Sequence, residues 1–209
     1  MRGLYLVTPN WDDTERLLAV TEAGLRGGAV LVQYRHKDAD GALRHQQATA
    51  LLALCRRHRT PLVINDHLDL CVALDADGVH LGGSDAGLAH ARQVLGPDKI
   101  VGASCYGDLA LAAAAEQAGA SYVAFGGFYP SPVNKYDFVT KPAVLDAARA
   151  AVALPQVVIG GMTPSNAAPL VARGADMVAA ITSVYSADDP EAAAWAFTAL
   201  FEGAHNCRN

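Results

Sequence analysis

The sequence is short of paired cysteine, of charge and of unbroken apolar stretches, and each shortage removes a class of protein. Its four cysteines, Cys55, Cys71, Cys105 and Cys207, include no CxxC pair. Spacings this wide set aside a zinc site and a disulfide framework; the expectation is buried free thiols in a reducing compartment. Only 18% of residues are charged and the net charge is −5, so there is no general basic surface for nucleic acid. A positive cleft is compatible with that balance, because net charge says nothing about one pocket. No apolar run reaches the roughly 18 residues of a membrane span. The start of the chain, Met1 to Asp13, turns polar too early for a signal peptide. A soluble, cytoplasmic protein without membrane or nucleic-acid partners is expected. Motifs of the GxSxG and HExxH kind are missing, and His36, His45, His58, His67, His90 and His205 show no metal-ligand spacing.

What is present is apolar and regularly interrupted. At 209 residues and 52% hydrophobic, the chain can bury one sizeable core. Short runs rich in Val, Ile, Leu and Tyr stand at Leu4–Val7, Val30–Tyr34, Leu62–Ile64, Gly78–Leu81, Ile100–Ala103, Tyr122–Phe125, Val157–Ile159 and Met177–Ile181. They lack polar alternation, as parallel strands covered on both faces do. Helical stretches lie between them, among them Thr14–Leu25, Ala42–Arg57 and Leu109–Ala118. Asp12-Asp13-Thr14 and Thr163-Pro164-Ser165 read as helix starts, and Gly27-Gly28, Gly119 and Gly174 as helix stops. Repeated strand–helix units predict a parallel sheet with right-handed crossovers. Eight of them favour one α/β domain, a (β/α)8 TIM barrel spanning the chain with a frayed tail after Gly203. An open doubly wound sheet is the rival.

Polar residues gather just after the apolar runs, where a barrel places its active site. Gln33, Arg35 and Lys37 alternate, so an extended strand turns all three to one side. A guanidinium and an ammonium there would grip phosphate oxygens; a solvated strand end is the plainer reading. Asp66 and Asp85 follow neighbouring strands. They suit a hard cation, or else each caps the helix that follows. Gly160-Gly161 and Ile181-Thr182-Ser183 end the last two strands, where barrels often hold a phosphate, although an ordinary glycine turn fits the former pair too. His80 is expected to hydrogen-bond within the barrel wall. Cys105 near the mouth has no base to activate it.

Taken in order, Gln33-Tyr34-Arg35-His36-Lys37, Asn65-Asp66, His80-Leu81-Gly82 with Asp85, Gly102-Ala103-Ser104, Tyr129-Pro130-Ser131, Ile159-Gly160-Gly161 and Ile181-Thr182 resemble the thiamine-phosphate synthase family. The resemblance implies a (β/α)8 barrel that joins 4-amino-2-methyl-5-(diphosphomethyl)pyrimidine to a thiazole phosphate, or its carboxylated form, releasing diphosphate. It implies two small phosphorylated substrates and one Mg²⁺ per subunit, held by Asp66 and Asp85. Gln33, Tyr34, Arg35, His36, Lys37, Asn65, Ser104, Asn134 and Lys135 would bind the pyrimidine diphosphate, with Arg35, Lys37 and Ser104 acting in catalysis. Ser131, Pro132, Val133, Gly161, Ile181 and Thr182 would bind the thiazole phosphate. The segment after the sixth run departs from the family's PTxTK. Here it reads Pro130-Ser131-Pro132-Val133-Asn134-Lys135, so either Lys135 serves after a loop shift or one diphosphate contact is lost. A related thiazole tautomerase and a non-catalytic barrel that binds thiamine precursors are the competing readings.

Overall fold

The computed structural model describes residues 1–82, 85–131 and 137–202, without the side chains of Asp85 and Ala86. The chain runs β1 (Gly3–Val7), α1 (Thr14–Arg26), β2 (Leu31–Tyr34), α2 (Gly41–Arg57), β3 (Leu62–Asn65), α3 (Leu68–Leu74), β4 (Gly78–Gly82) and α4 (Asp85–Leu95). It continues through β5 (Ile100–Tyr106), α5 (Leu109–Gln117), β6 (Tyr122–Phe125), α6 (Val144–Ala151), β7 (Gln156–Val158), α7 (Pro164–Ala172), β8 (Met177–Ala180), α8 (Thr182–Tyr185) and α9 (Pro190–Glu202). Each strand pairs in parallel with the next, and β8 returns to β1. The expected barrel therefore closes, and the open sheet is excluded.

The absence of polar alternation has a structural cause. Odd and even positions of a strand face two different apolar compartments. Leu4 and Leu6 of β1, Val32 and Tyr34 of β2 and Val178 and Ala180 of β8 pack outward against helices. Tyr5, Leu31, Val63, Tyr122, Val157 and Met177 fill the bore. All six are 1% exposed or less, so the interior is a packed core rather than a pore.

The base of the barrel is pinned by a recurring device. The residue before β4, β6 and β8 is polar, and its side chain accepts a backbone N–H from the start of the preceding strand. Asp77 takes Leu62 at 2.8 Å, Ser121 takes Val101 at 3.1 Å and Asp176 takes Gln156 at 2.9 Å. A small buried residue, Ala76, Ala120 or Ala175, precedes each. The repeated Gly-Ala-Ser and Gly-Ala-Asp patterns at the ends of α5 and α7 are the sequence trace of this bracket. Helix starts follow the expected signals. Asp13 accepts from Arg16 N at 3.0 Å, and Thr163 with Asn166 forms a capping box at α7. Among the described residues no helix is long and apolar enough to cross a membrane.

Candidate active site

The C-terminal ends of the strands enclose a cavity of about 550 Å³. Alternation along β2 and its continuation puts Gln33, Arg35 and Lys37 on its wall together. Asn65 and Asp66 from β3, His80 from β4 and Ser104 from β5 face them across the same space. Arg35 is 7% exposed, so its charge works in a partly desolvated setting, where it interacts more strongly than at the surface. The three β2 residues and the β3 pair are thus brought together as the sequence implied.

The end of β2 is braced from β1. Thr8 Oγ1 donates to Arg35 O at 3.0 Å and accepts Arg35 N at 2.8 Å. Asn10 Oδ1 accepts from Lys37 N at 3.3 Å and from the Arg35 guanidinium at 3.4 Å, while its amide donates to Asp38 at 2.6 Å. Thr8 and Asn10 were not legible as site residues. Their signal was only that a polar pair, Thr-Pro-Asn, follows the first strand, as it must at any mouth.

Tyr34 and His36 require a correction. The same alternation that brings Gln33, Arg35 and Lys37 inward turns these two outward. Tyr34 donates to Gln47 Oε1 at 3.0 Å, and His36 Nε2 meets Asp12 at 3.0 Å. Gln47 also donates to Trp11 O at 2.8 Å. The pair anchors the segment that leads into α1, and borders a separate 300 Å³ cavity with Arg44 and His67. It does not line the central cavity.

Asp66 has a left-handed backbone, φ 62°. Its amide is held by His80 O at 2.9 Å and its carboxylate by Asn65 Nδ2 at 2.7 Å. The carboxylate is therefore fixed at the rim, close to the cationic wall. Asp85 opens α4, but its side chain lies outside the described residues. Among the described residues no cluster of three or more His, Cys, Asp or Glu forms a metal cage. That suits Mg²⁺, which takes one or two carboxylates and leaves its other positions to water and substrate phosphates.

His80 behaves as expected of a wall residue, and more. Burial pushes its pKa down to about 4. Its Nε2 lies 2.8 Å from Ser104 Oγ and its Nδ1 2.8 Å from Tyr122 OH. Tyr122 OH lies 2.7 Å from Tyr5 OH, which accepts from Gln33 Nε2 at 2.5 Å. Sequence reading missed Tyr5 and Tyr122 because each sits in the middle of an apolar run and looks like core. Cys105, next to Ser104, points to the helix side, where burial raises its thiol to about 12; it is inert, as expected.

Beside the main cavity a second one, of about 50 Å³, is lined by Ser131, Gly160, Gly161, Ile181, Thr182 and Ser183 among others. It shares Ile159, Ala179 and Ile181 with the first. Gly160 and Gly161 both have positive φ, 114° and 58°, and a side chain on Gly161 would strike Pro130 O. Only glycine lets the β7 loop pass this close to the β6 loop. The expected thiazole-phosphate residues Ser131, Gly161, Ile181 and Thr182 therefore meet. Pro132, Val133, Asn134 and Lys135 lie outside the described residues.

With this geometry in hand, comparison with known proteins is informative. The family model described as thiamine monophosphate synthase matches residues 4–184. The chain is 62% identical over 201 residues to the thiamine-phosphate synthase of Janthinobacterium sp. (strain Marseille), covering 96% of this chain and 97% of that one. It is 52% identical over 199 residues to that of Thiobacillus denitrificans, covering 95% and 94%. The solved thiamine phosphate pyrophosphorylase from Pyrococcus furiosus superposes with a TM-score of 0.85 at 30% identity, covering 97% and 96%. The chain belongs to the thiamine-phosphate synthase family.

Proposed function

We propose that this transferase joins 4-amino-2-methyl-5-(diphosphomethyl)pyrimidine to a thiazole phosphate, or its carboxylated form, in the cytoplasm. The observation that carries this reading is one cavity in which Gln33, Arg35 and Lys37 oppose Asn65, Asp66 and Ser104, with a phosphate-sized side cavity at Gly161 and Thr182. Two adjoining anion sites suit two phosphorylated substrates. A tautomerase of the same family needs no diphosphate clamp, so the cationic wall favours the synthase.

In this reading Arg35 and Lys37 hold the diphosphate and stabilise the charge that builds on it as the bond to the pyrimidine methylene breaks. Asp66, with Asp85, would hold Mg²⁺, which supplies further charge neutralisation on the leaving group. The electron-rich aminopyrimidine supports the carbocation-like carbon, and the thiazole nitrogen attacks it. No protein nucleophile is required, and the inert Cys105 agrees with that. Ser104 donates to the diphosphate, and Asn65 orients Asp66. Asn134 and Lys135 complete the diphosphate grip, while Pro132 and Val133 cover the thiazole. The cavity aligns the two reactants, a contribution that reaches ~7–11 kcal/mol in well-oriented intramolecular reactions.

The test is turnover with both substrates and Mg²⁺. Formation of thiamine phosphate and diphosphate in equal amounts is expected. Binding of either substrate without product would leave the non-catalytic barrel as the better reading. Comparing Lys135→Ala with Asn134→Ala then assigns the altered loop: the lysine change is expected to cost more, and equal, negligible losses would remove both from the site.

A further inference from the structure

Five polar side chains from five strands form a continuous chain across the bore: Gln33, Tyr5, Tyr122, His80 and Ser104. We propose that this chain is a one-way hydrogen-bond relay that aims the Ser104 hydroxyl proton into the cavity, making Tyr5, Tyr122 and His80 positioning residues for the reaction. The inference rests on the reading of Ser104 as a donor to the diphosphate and adds the residues that orient it. No proton crosses the chain; it sets directions.

The direction follows from counting hydrogens. The Gln33 amide nitrogen can only donate, and it donates to Tyr5 OH. Tyr5 has a single proton left, which goes to Tyr122. Tyr122 in turn gives its proton to His80 Nδ1. A neutral imidazole accepting at Nδ1 carries its hydrogen on Nε2, and that hydrogen goes to Ser104 Oγ. Ser104 already accepts, so its own proton is free for the cavity that it lines. Burial keeps the ring neutral, as its lowered pKa indicates.

The two ends match the chemistry of the ligand only in this sense. Gln33, with its nitrogen committed to Tyr5, offers its oxygen as an acceptor, which suits an exocyclic amino group. Ser104 offers a donor, which suits a phosphate oxygen. Reversal would present a donor to the amino group and a lone pair to the phosphate, and both contacts would be repulsive.

The backbone is built for the chain. In register, Gly102 of β5 lies between His80 of β4 and Tyr122 of β6. A Cβ there would collide with the Tyr122 ring and with His80 Nδ1. Its absence lets the two rings stack across β5, with centroids 5.6 Å apart and planes 18° apart. Tyr5 then meets Tyr122 edge-on at 5.8 Å.

Two measurements test the proposal on the intact chain. Nitrogen-15 NMR of the imidazole at neutral pH is expected to find His80 neutral and protonated at Nε2; protonation at Nδ1 would reverse the relay and overturn it. In steady-state kinetics Tyr122→Phe is expected to lower kcat about 10–100-fold, less than the ~100–1000-fold that outright loss of an oriented donor costs, with the thiazole-phosphate KM unchanged. In a Ser104→Ala background the same change is expected to cost nothing further. Additive losses would show that Tyr122 acts elsewhere. Should Tyr122→Phe fail to fold, Tyr5→Phe opens the chain one bond earlier and carries the same comparison. A wild-type protein without turnover would refute the synthase reading instead, and the tautomer would still decide the relay.

Discussion

Asp66 shows how much one residue's backbone can decide. A left-handed conformation is uncommon for aspartate, yet here it is stabilised by the amide bond to His80 O and by Asn65. The result is a carboxylate turned to the rim, opposite Arg35 and Lys37, when the following helix α3 has no side-chain cap at His67 to claim it. Asp66→Ala is therefore expected to raise the Mg²⁺ concentration for half-maximal rate and to lower turnover sharply, with a further loss when Asp85→Ala is added. A Mg²⁺ titration of initial rates checks this, and an unchanged titration would refute the metal assignment. Arg35→Lys keeps the charge but loses the fork that grips two phosphate oxygens, so a fall in kcat of about tenfold or more is expected, together with a raised KM for the pyrimidine diphosphate.

At the scale of elements, the site depends on β1 as much as on β2. Thr8 makes two hydrogen bonds to the backbone of Arg35, and both groups are buried. Thr8→Val leaves that amide without its partner, at a cost of about 1–3 kcal/mol. A chain of this size is expected to lose about 2–4 °C of Tm per kcal/mol. Because the slack falls on Arg35, the KM for the pyrimidine diphosphate should rise as well; calorimetry and kinetics on the one variant check both. Much of this layout was legible in the sequence. All eight apolar runs are strands, and Gln33, Arg35 and Lys37 share a wall because extended backbone alternates. The same rule, applied fully, would have removed Tyr34 and His36 from the substrate set. Family motifs are read as contiguous strings, whereas a strand sends neighbouring residues to opposite faces. Tyr5 and Tyr122 were hidden for the reverse reason: a tyrosine within a Leu, Val and Ala run reads as packing, and only closure of the barrel brings the two hydroxyls within 2.7 Å of each other.

For the whole molecule, stability and chemistry occupy opposite ends. Asp77, Ser121 and Asp176 pin the base, remote from the mouth, by accepting backbone N–H groups. Asp77→Ala and Asp176→Ala are each expected to destabilise by about 1–3 kcal/mol, read from urea midpoints, while kcat stays at the wild-type value. Acidity acts on the core directly. Below pH about 6.5 the unfolded chain binds a proton at His80, but the folded chain does not until about 4. The unfolded state therefore gains as pH falls through that window, and this one group removes stability of order 3 kcal/mol by its lower end. Urea unfolding at pH 7 and pH 5 should show the drop, reduced in His80→Gln.

The packed bore has a consequence for traffic. Tyr5 and Tyr122, with Leu31, Val63, Val157 and Met177 below them, close the bottom, so the reaction chamber is a cup with a single rim. Whatever rests deepest has to arrive before its companion and can depart only after the lid of bound ligand above it has gone. Geometry alone thus imposes a queue, one that inhibition patterns of the two products against the two substrates would reveal.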